Sequence, residues 1–143
     1  MTNEPVRAFV DSNVWLYALI EEKQPDARHA AADALIDQIE RPFISAQVMR
    51  EILVNLLKKA GATEAELRHL VAAMYADCQV VETDREQLLV ASRLRESHSL
   101  SYWDSLIVAA ALAAGCETLF SEDLQHGQLI DGRLRIVNPF ASA

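Results

Sequence analysis

The sequence is poor in several features, and each scarcity excludes a class of protein. Glycine and proline occur four times each in 143 residues, and no low-complexity stretch or linker interrupts the chain. This composition excludes a disordered or fibrous protein, and an apolar fraction of 51% is enough to build a hydrophobic core. We therefore expect one globular, helix-rich domain that spans residues 1–143.

The chain has only two cysteines, Cys78 and Cys116. They lie far apart beside apolar residues, without a neighbouring Cys or His at the spacing of a metal site, so we interpret them as reduced structural thiols. Reduced thiols fit a cytoplasmic protein. The first residues lack a basic region followed by an apolar one, and the apolar run at 106–116 is too short to cross a bilayer. We expect neither secretion nor a membrane-spanning segment.

Basic residues are also few. Thirteen Lys and Arg stand against 21 Asp and Glu, which gives a net charge of −8. A protein that coats nucleic acid neutralises many phosphates with Lys and Arg, so this balance argues against that class. It does not exclude a nuclease, because bound cations reverse the sign of the local field.

What the sequence does contain is an alternation of short apolar strands and helices. Strands are predicted at 6–10, 42–45, 78–82, 117–120 and 134–137, and helices at 14–20, 25–40, 46–60, 64–76, from 83 onward, and at 101–115. This alternation predicts an α/β sandwich of three layers with a mostly parallel sheet covered on both faces. Ligands bind such sheets beyond the carboxyl ends of the strands, where the strand order reverses.

Capping residues predict where several helices begin and end. Pro25 is expected at the head of the second helix, and Ser101 at the head of the last one. Thr63 and Thr83 are each followed by a Glu three residues later, which predicts two capping boxes. Gly115 is expected to end the last helix.

Four acids are predicted near the carboxyl edge of the sheet. Asp11 directly follows the first strand, and Asp123 follows the strand at 117–120. Glu51 lies in the second turn of the helix after the strand at 42–45, and Asp104 lies in the first turn of the helix before 117–120.

Two of these acids have a structural explanation at a helix start. Asp11 could be an N-cap, which is a frequent use of Asp between a strand and a helix. Asp104 could complete a capping box with Ser101, where the helix dipole favours a carboxylate.

The other two acids have a structural explanation at the surface. Glu51 could be a solvated helix residue paired with Arg50 or Lys58, although the helix is apolar around most of its circumference. Asp123 lies in a turn-like segment in which its neighbour Glu122 is a second candidate.

The set of acids is more informative than any one of them. Several carboxylates at one edge repel one another unless a cation neutralises them. Oxygen-only ligands suit Mg²⁺ or Mn²⁺, and no Cys/His cluster indicates zinc. Such ions activate a water for in-line displacement at a phosphodiester, so the set predicts hydrolytic nuclease chemistry. A phosphatase that uses Asp11 as its nucleophile is a further hypothesis, although the second Asp common two residues later in such enzymes is missing.

Four stretches, in this order, resemble the PIN domain and, within it, the VapC-type ribonuclease toxins of bacterial toxin–antitoxin pairs. The first acid lies in FVDSNVWLYAL and the Glu in SAQVMREILVNLL. The third and fourth acidic motifs are YWDSLIVAAALAAGC and TLFSEDLQHG. Single motifs of this kind are weak, whereas the ordered set covers nearly the whole chain and is fairly specific.

The resemblance implies a site, a reaction and partners. The implied Mg²⁺ or Mn²⁺ ligands are Asp11, Glu51, Asp104 and Asp123, supported by Asn13 and Ser121, with Glu122 as the alternative to its neighbour. The implied reaction is endonucleolytic cleavage of RNA by a metal-activated water. A homodimer and an antitoxin protein that covers the site are the implied partners, and a PIN-like module without turnover, which binds RNA or regulates, is the alternative.

The sequence indicates the RNA-binding surface less clearly than it indicates the acidic site. Four basic pairs are either phosphate contacts or solvated helix faces: Arg28 with His29, Lys58 with Lys59, Arg68 with His69, and Arg93 with Arg95. Tyr102 and Trp103, which precede Asp104, either stack a base or pack in the core. We expect them in the core.

Overall fold

The computed structural model describes residues 5–20 and 26–141. Within these ranges the strands are β1 (Ala8–Val10), β2 (Phe43–Ser45), β3 (Gln79–Val81), β4 (Thr118–Phe120), β5 (Leu129–Ile130) and β6 (Leu134–Val137). The helices are α1 (Ser12–Leu19), α2 (Ala27–Gln38), α3 (Ala46–Lys59), α4 (Glu64–Asp77), α5 (Arg85–Ser97) and α6 (Tyr102–Ala113).

The strands form one sheet in the order β3-β2-β1-β4-β6-β5. All neighbouring pairs are parallel except β5 and β6, so the predicted α/β fold with a mostly parallel sheet is confirmed. The edge strand β5 was not predicted, because two residues are too short to give an alternating apolar pattern.

The connections between the strands place helices on both faces of the sheet. The chain moves in one direction from β1 to β2 to β3, then returns past both strands to β4 on the other side of β1. Since crossovers between parallel strands are right-handed, α1 to α4 lie on one face and α5 and α6 on the other. The resulting three layers are those expected from the sequence.

The core lies between these layers. Phe9, Ile44, Leu119 and Ile136 are fully buried at the centre of four adjacent strands. Helix α6 buries six consecutive apolar residues, which explains why its sequence is apolar on nearly all sides. Such burial requires each strand to be covered on both faces.

The two cysteines are buried and free, as predicted. Burial raises the pKa of Cys78 to about 11 and that of Cys116 to about 12, so both thiols stay protonated at neutral pH. Their role is to fill space in the core.

The helix starts confirm most of the predicted caps. Thr63 forms a complete capping box with Glu66, and Ser101 caps α6. The capping box predicted at Thr83 is wrong: the N-cap is Asp84, whose carboxylate accepts a 2.9 Å hydrogen bond from the backbone N–H of Gln87. The Asp84 side chain, one position later, accepts from the free amides of the first turn in place of the Thr83 hydroxyl, since Asp is at least as good an N-cap as Thr.

Two further predictions concern helix ends. Pro25 lies outside the described residues, and within them α2 is capped by Asp26. Gly115 ends α6 with a φ of 70°, a left-handed conformation that glycine adopts without a steric penalty.

None of the helices in the described ranges combines the length and apolar character that crossing a bilayer requires.

Candidate metal centre

The strand order reverses between β1 and β4. From β1 the chain leads to β2 on one side, while β4 pairs with β1 on the other side. Asp11 directly follows β1, and its backbone N–H donates a 2.9 Å hydrogen bond to the carbonyl of Phe120 at the end of β4. The structure therefore places Asp11 at the point of an open parallel sheet where ligands bind.

Asp11 is a buried carboxylate held by two donors. It is 4% exposed, its Oδ1 accepts a 2.8 Å hydrogen bond from the backbone N–H of Ser12, and its Oδ2 accepts a 2.8 Å bond from the hydroxyl of Ser121. Burial raises the pKa of Asp11 from 3.8 to about 7, although the two hydrogen bonds oppose this shift. The negative charges of Glu51 and Asp123 raise the pKa further. Asp11 is indeed the N-cap of α1, so its capping role and its place at this edge coexist.

Glu51 is held by hydrogen bonds within the same edge of the sheet. Its Oε2 accepts a 2.6 Å bond from the Ser12 hydroxyl, and its Oε1 accepts a 2.9 Å bond from Nε2 of Gln47. Of the two alternatives for Glu51, the pairing with Arg50 or Lys58 is not the one observed, because its carboxylate bonds to Ser12 of α1 and to Gln47.

Asp104 lies half-buried in the first turn of α6. Burial raises its pKa, and the charges of Asp123 and Glu51 act in the same direction, so the three carboxylates are electrostatically coupled. The cap of α6 is Ser101, whose Oγ accepts a 3.1 Å hydrogen bond from the backbone N–H of Asp104. The Ser101 hydroxyl also hydrogen-bonds the Asp104 carboxyl and lowers its pKa, so one side chain both caps the helix and contacts this acid.

The structure separates Asp123 from Glu122. Nδ2 of Asn13 donates a 3.0 Å bond to Oδ2 of Asp123, whose charge raises the pKa of Asp11. Glu122 turns to the other side, where its Oε1 accepts a 3.1 Å bond from the Tyr17 hydroxyl and its Oε2 lies 3.6 Å from Nε of Arg28. Of the two neighbours, Asp123 belongs to the group around Asp11.

Asn13 and Ser121 each hydrogen-bond to the segments that carry these acids. The side-chain oxygen of Asn13 accepts a 3.2 Å bond from the backbone N–H of Glu122, while its amide nitrogen contacts Asp123. The Ser121 hydroxyl donates to Asp11 and accepts a 3.3 Å bond from the backbone N–H of Asp123. Both residues tie the segment after β4 to the segment after β1.

Sequence reasoning missed two residues that orient Glu51. Ser12 is buried and donates to its carboxylate, and Gln47 lies one turn earlier on the same face of α3. The sequence signal for Ser12 was its position directly after Asp11, at the start of a helix. The position of Gln47 had no distinctive sequence pattern.

The charges at this edge are uncompensated by the described side chains. Within residues 5–20 and 26–141, the ion pairs are those of Arg28 with Asp26 and with Glu122. In the same ranges, no three His, Cys, Asp or Glu side chains stand together at distances that would already hold a metal ion. Burial and, in addition, the charges of Glu51 and Asp123 nevertheless raise the pKa of both Asp11 and Asp104, and the four carboxylates are the oxygen ligands that hard divalent cations prefer.

The aromatic residues before Asp104 differ from the expectation. Trp103 is 63% exposed and Tyr102 is 51% exposed, so the prediction that they lie in the core is wrong. They occupy the first turn of α6, and the burial of this helix begins after them, with Ser105 and Ile107.

The basic pairs are engaged to different degrees. Arg28 contacts Tyr17 and Glu122, and His29 contacts the backbone carbonyl of Tyr17. Arg95 donates a 2.7 Å hydrogen bond to Ser105, which places this cation beside the first turn of α6.

Comparisons with known proteins give a family for the sequence and relatives for the fold. The sequence matches the PIN domain over residues 8–129. No curated protein matches it. At 16–20% identity, the likeness to the solved structures described next concerns the fold alone.

Three solved structures are similar. A chain of a toxin–antitoxin complex from Klebsiella pneumoniae has a TM-score of 0.70 and 19% identity, with 93% of this chain and 98% of that chain covered. VapC20 from Mycobacterium tuberculosis, a toxin that cleaves the sarcin–ricin loop, has a TM-score of 0.66 and 20% identity, with coverages of 81% and 91%. A chain of VapBC2 from Rickettsia felis, bound to a DNA fragment of its promoter, has a TM-score of 0.63 and 16% identity, with coverages of 93% and 100%.

Proposed function

We propose that this chain, which belongs to the PIN domain family, is a metal-dependent endoribonuclease and the toxin of a type II toxin–antitoxin pair. One observation carries the proposal: Asp11, Glu51, Asp104 and Asp123 are coupled at the carboxyl edge of the sheet, and no described basic side chain pairs with them. A divalent cation is the counterion that such a group requires.

The residues fit Mg²⁺ or Mn²⁺. The four carboxylates would hold the ion, and the exposed Asp123 and the half-buried Glu51 and Asp104 have the freedom to turn toward it. When bound, the ion would activate a water and neutralise charge at the scissile phosphate.

The other side chains at this edge orient the proposed ligands. Ser12 and Ser121 fix the two oxygens of Asp11, so its carboxylate is oriented before any ligand arrives. Because the pKa of Asp11 lies at about 7, a proton competes with the cation in mildly acidic solution. Ser12 and Gln47 orient Glu51 in the same way.

The solved relatives support RNA as the substrate and an antitoxin as a partner. VapC20 is described as a toxin that cleaves the sarcin–ricin loop, the Klebsiella structure is a toxin–antitoxin complex, and VapBC2 is bound to a DNA fragment of its promoter. We extend these properties to this chain as part of the proposal, together with assembly as a homodimer.

An RNA-cleavage assay tests the activity. Purified protein is incubated with a mixture of structured and unpaired RNAs in Mg²⁺, Mn²⁺ or EDTA, alongside Asp11→Asn and the control Asp33→Asn, which alters an exposed acid on α2. We expect cleavage by the wild type and by the control in either metal, and none by Asp11→Asn or in EDTA. Equal activity of the wild type and Asp11→Asn would contradict the proposed site.

A growth assay tests the toxin assignment separately. Induced expression in a bacterial host should arrest growth with the wild type and not with Asp11→Asn. Unaffected growth with intact, soluble wild-type protein would remove the toxin assignment even if the nuclease activity stands.

A PIN-like module that binds RNA without cleaving it is the second candidate. It is favoured by the observation that no three His, Cys, Asp or Glu side chains in the described ranges stand at metal-holding distances. Binding of RNA without cleavage in any metal tested would support this alternative.

A further inference from the structure

We propose that Trp103, supported by Tyr102 and Arg95, is a stacking platform for an unpaired RNA base next to the phosphate at the carboxylate group. This inference rests on the proposed nuclease function. It adds which part of the RNA substrate binds beside the carboxylates, namely an unpaired base. The platform is defined by these three residues.

The exposure of the platform is the first observation. Trp103 is 63% exposed, whereas the other tryptophan, Trp15, is 7% exposed and donates its indole N–H to the carbonyl of Val10. A solvent-exposed indole forgoes the stabilisation that burial would give it. Trp103 immediately precedes Asp104 in α6, so its backbone lies at the acidic edge.

The platform is also held in place. The rings of Tyr102 and Trp103 meet edge to face, with centroids 5.0 Å apart and an interplanar angle of 88°. The guanidinium of Arg95 lies 4.9 Å from the centroid of Tyr102, and its Nη1 donates to the Ser105 hydroxyl. These contacts hold the first turn of α6 against α5, which lowers the entropy lost when a ligand stacks on it.

A link to the carboxylates runs through Gln47. Its Nε2 donates a 3.4 Å hydrogen bond to the backbone carbonyl of Trp103 and a 2.9 Å bond to Oε1 of Glu51. One amide group therefore joins the platform to a side chain of the proposed centre.

The acidic edge beside the platform favours an RNA base over a second copy of this chain as the occupant. The chain carries a net charge of −8 and has no excess of cations with which to hold phosphates. Stacking on an aromatic ring binds any base through its π-face and needs no phosphate neutralisation, while Arg95 beside the rings suits the adjacent anionic backbone. A second copy of this chain would instead bring a second acidic edge against the first, and the two would repel.

Tryptophan fluorescence gives a readout that does not depend on cleavage. The chain has two tryptophans, and the burial of Trp15 leaves Trp103 as the one that a stacked base can quench. The probes are an unpaired octamer of adenylate and an abasic octamer of the same length and charge, titrated in Ca²⁺, with strand integrity checked on a gel. The variants are Trp103→Ala, Trp103→Phe and the control Tyr75→Ala, an exposed aromatic on the helix that leads to the amino end of β3.

We expect the adenylate octamer to quench the wild-type emission and the abasic octamer to leave it unchanged. Trp103→Ala should weaken octamer binding, measured by anisotropy of a labelled strand, roughly tenfold, while Trp103→Phe keeps most of the affinity. Tyr75→Ala should bind as the wild type does.

Three results would overturn the platform. These are equal affinity of Trp103→Ala and the wild type, equal quenching by the two octamers, and a wild-type dimer that Trp103→Ala converts to a monomer in sedimentation, which would assign this face to a second copy. Failure of the proposed function gives a different pattern. Quenching by adenylate without cleavage of any RNA supports the platform and contradicts the nuclease, whereas cleavage by Trp103→Ala with an unchanged KM does the reverse.

Discussion

The hydroxyl of Ser12 donates a 2.6 Å hydrogen bond to Oε2 of Glu51, 39 positions away in the sequence. This bond joins α1, which follows β1, to α3, which follows β2. The same residue donates its backbone N–H to Asp11, so Ser12 orients two of the four acids at once. Ser12 therefore has the position of a residue that acts through the proposed ligands and does not itself bind the ion.

Replacement of Ser12 by alanine should weaken divalent-metal binding roughly 10- to 100-fold, which is typical when a residue that orients a metal ligand is removed. The backbone bond to Asp11 remains, so the loss reports on Glu51. The measurement is the free Mn²⁺ concentration at which half of the protein is loaded, determined by equilibrium dialysis. Ser92→Ala, at an exposed serine of α5, is the matched control, and an unchanged midpoint in Ser12→Ala would refute this role.

The pH dependence of stability follows from Asp11. Its folded pKa of about 7 lies above its ordinary value of 3.8, so the folded state binds the proton more tightly than the unfolded state does. The free energy of unfolding of the metal-free protein should therefore fall as pH rises from about 4 to 7, by a few kcal/mol at most, since each unit of pKa difference is worth ~1.4 kcal/mol.

Urea denaturation at pH 5 and pH 8 in EDTA measures this slope. Asp11→Asn has no proton to lose and should show a smaller decrease between the two pH values than the wild type. The same decrease in both proteins would mean that other groups account for the pH dependence. Adding Mn²⁺ at pH 8 should stabilise the wild type and leave Asp11→Asn unchanged.

The neighbours Glu122 and Asp123 should respond oppositely to neutralisation. Asp123→Asn removes a charge from the proposed site and should weaken Mn²⁺ binding and RNA cleavage. Glu122→Gln should leave Mn²⁺ binding within a few-fold of the wild type, because its carboxylate contacts Tyr17 and Arg28. Calorimetric titration of both variants decides between them, and a larger loss in Glu122→Gln would assign the ligand to Glu122.

Variants of Asp104 and of Ser101 should distinguish metal binding from helix capping. Ser101→Ala removes the acceptor for the backbone of Asp104 and should lower the free energy of unfolding by ~1 kcal/mol, with a much smaller loss of Mn²⁺ affinity than Asp104→Asn causes. Asp104→Asn keeps the cap, and it should abolish cleavage and leave the metal-free protein as stable as the wild type or more so, because it relieves repulsion. If Asp104→Asn destabilises the protein and still cleaves RNA, Asp104 is structural.

Features that depend on interactions between residues close together in the chain could be predicted from the sequence. The strand at 134–137 matches β6, and Thr63 and Ser101 cap the helices as expected, because capping depends on residues a few positions apart. Asp84 was missed since an adjacent Thr offered an equally good pattern.

Features that depend on packing across the sheet could not be predicted in this way. The partner of Glu51 is set by the pairing of β1 with β2, and the exposure of Trp103 by the packing of α6 against the rest of the domain. The choice of Asp123 over Glu122 depends on the positions of Asn13 and Tyr17, which lie more than 100 positions away along the chain. Local pattern contains no information on these contacts.

The central claim is that the four acids form one divalent-metal centre. Its most direct test is calorimetric titration of Mn²⁺ into the wild type, Asp11→Asn and Asp33→Asn at pH 8. We predict saturable binding to the wild type and to the Asp33→Asn control, and no saturable binding to Asp11→Asn. Equal Mn²⁺ binding by the wild type and Asp11→Asn would contradict the account.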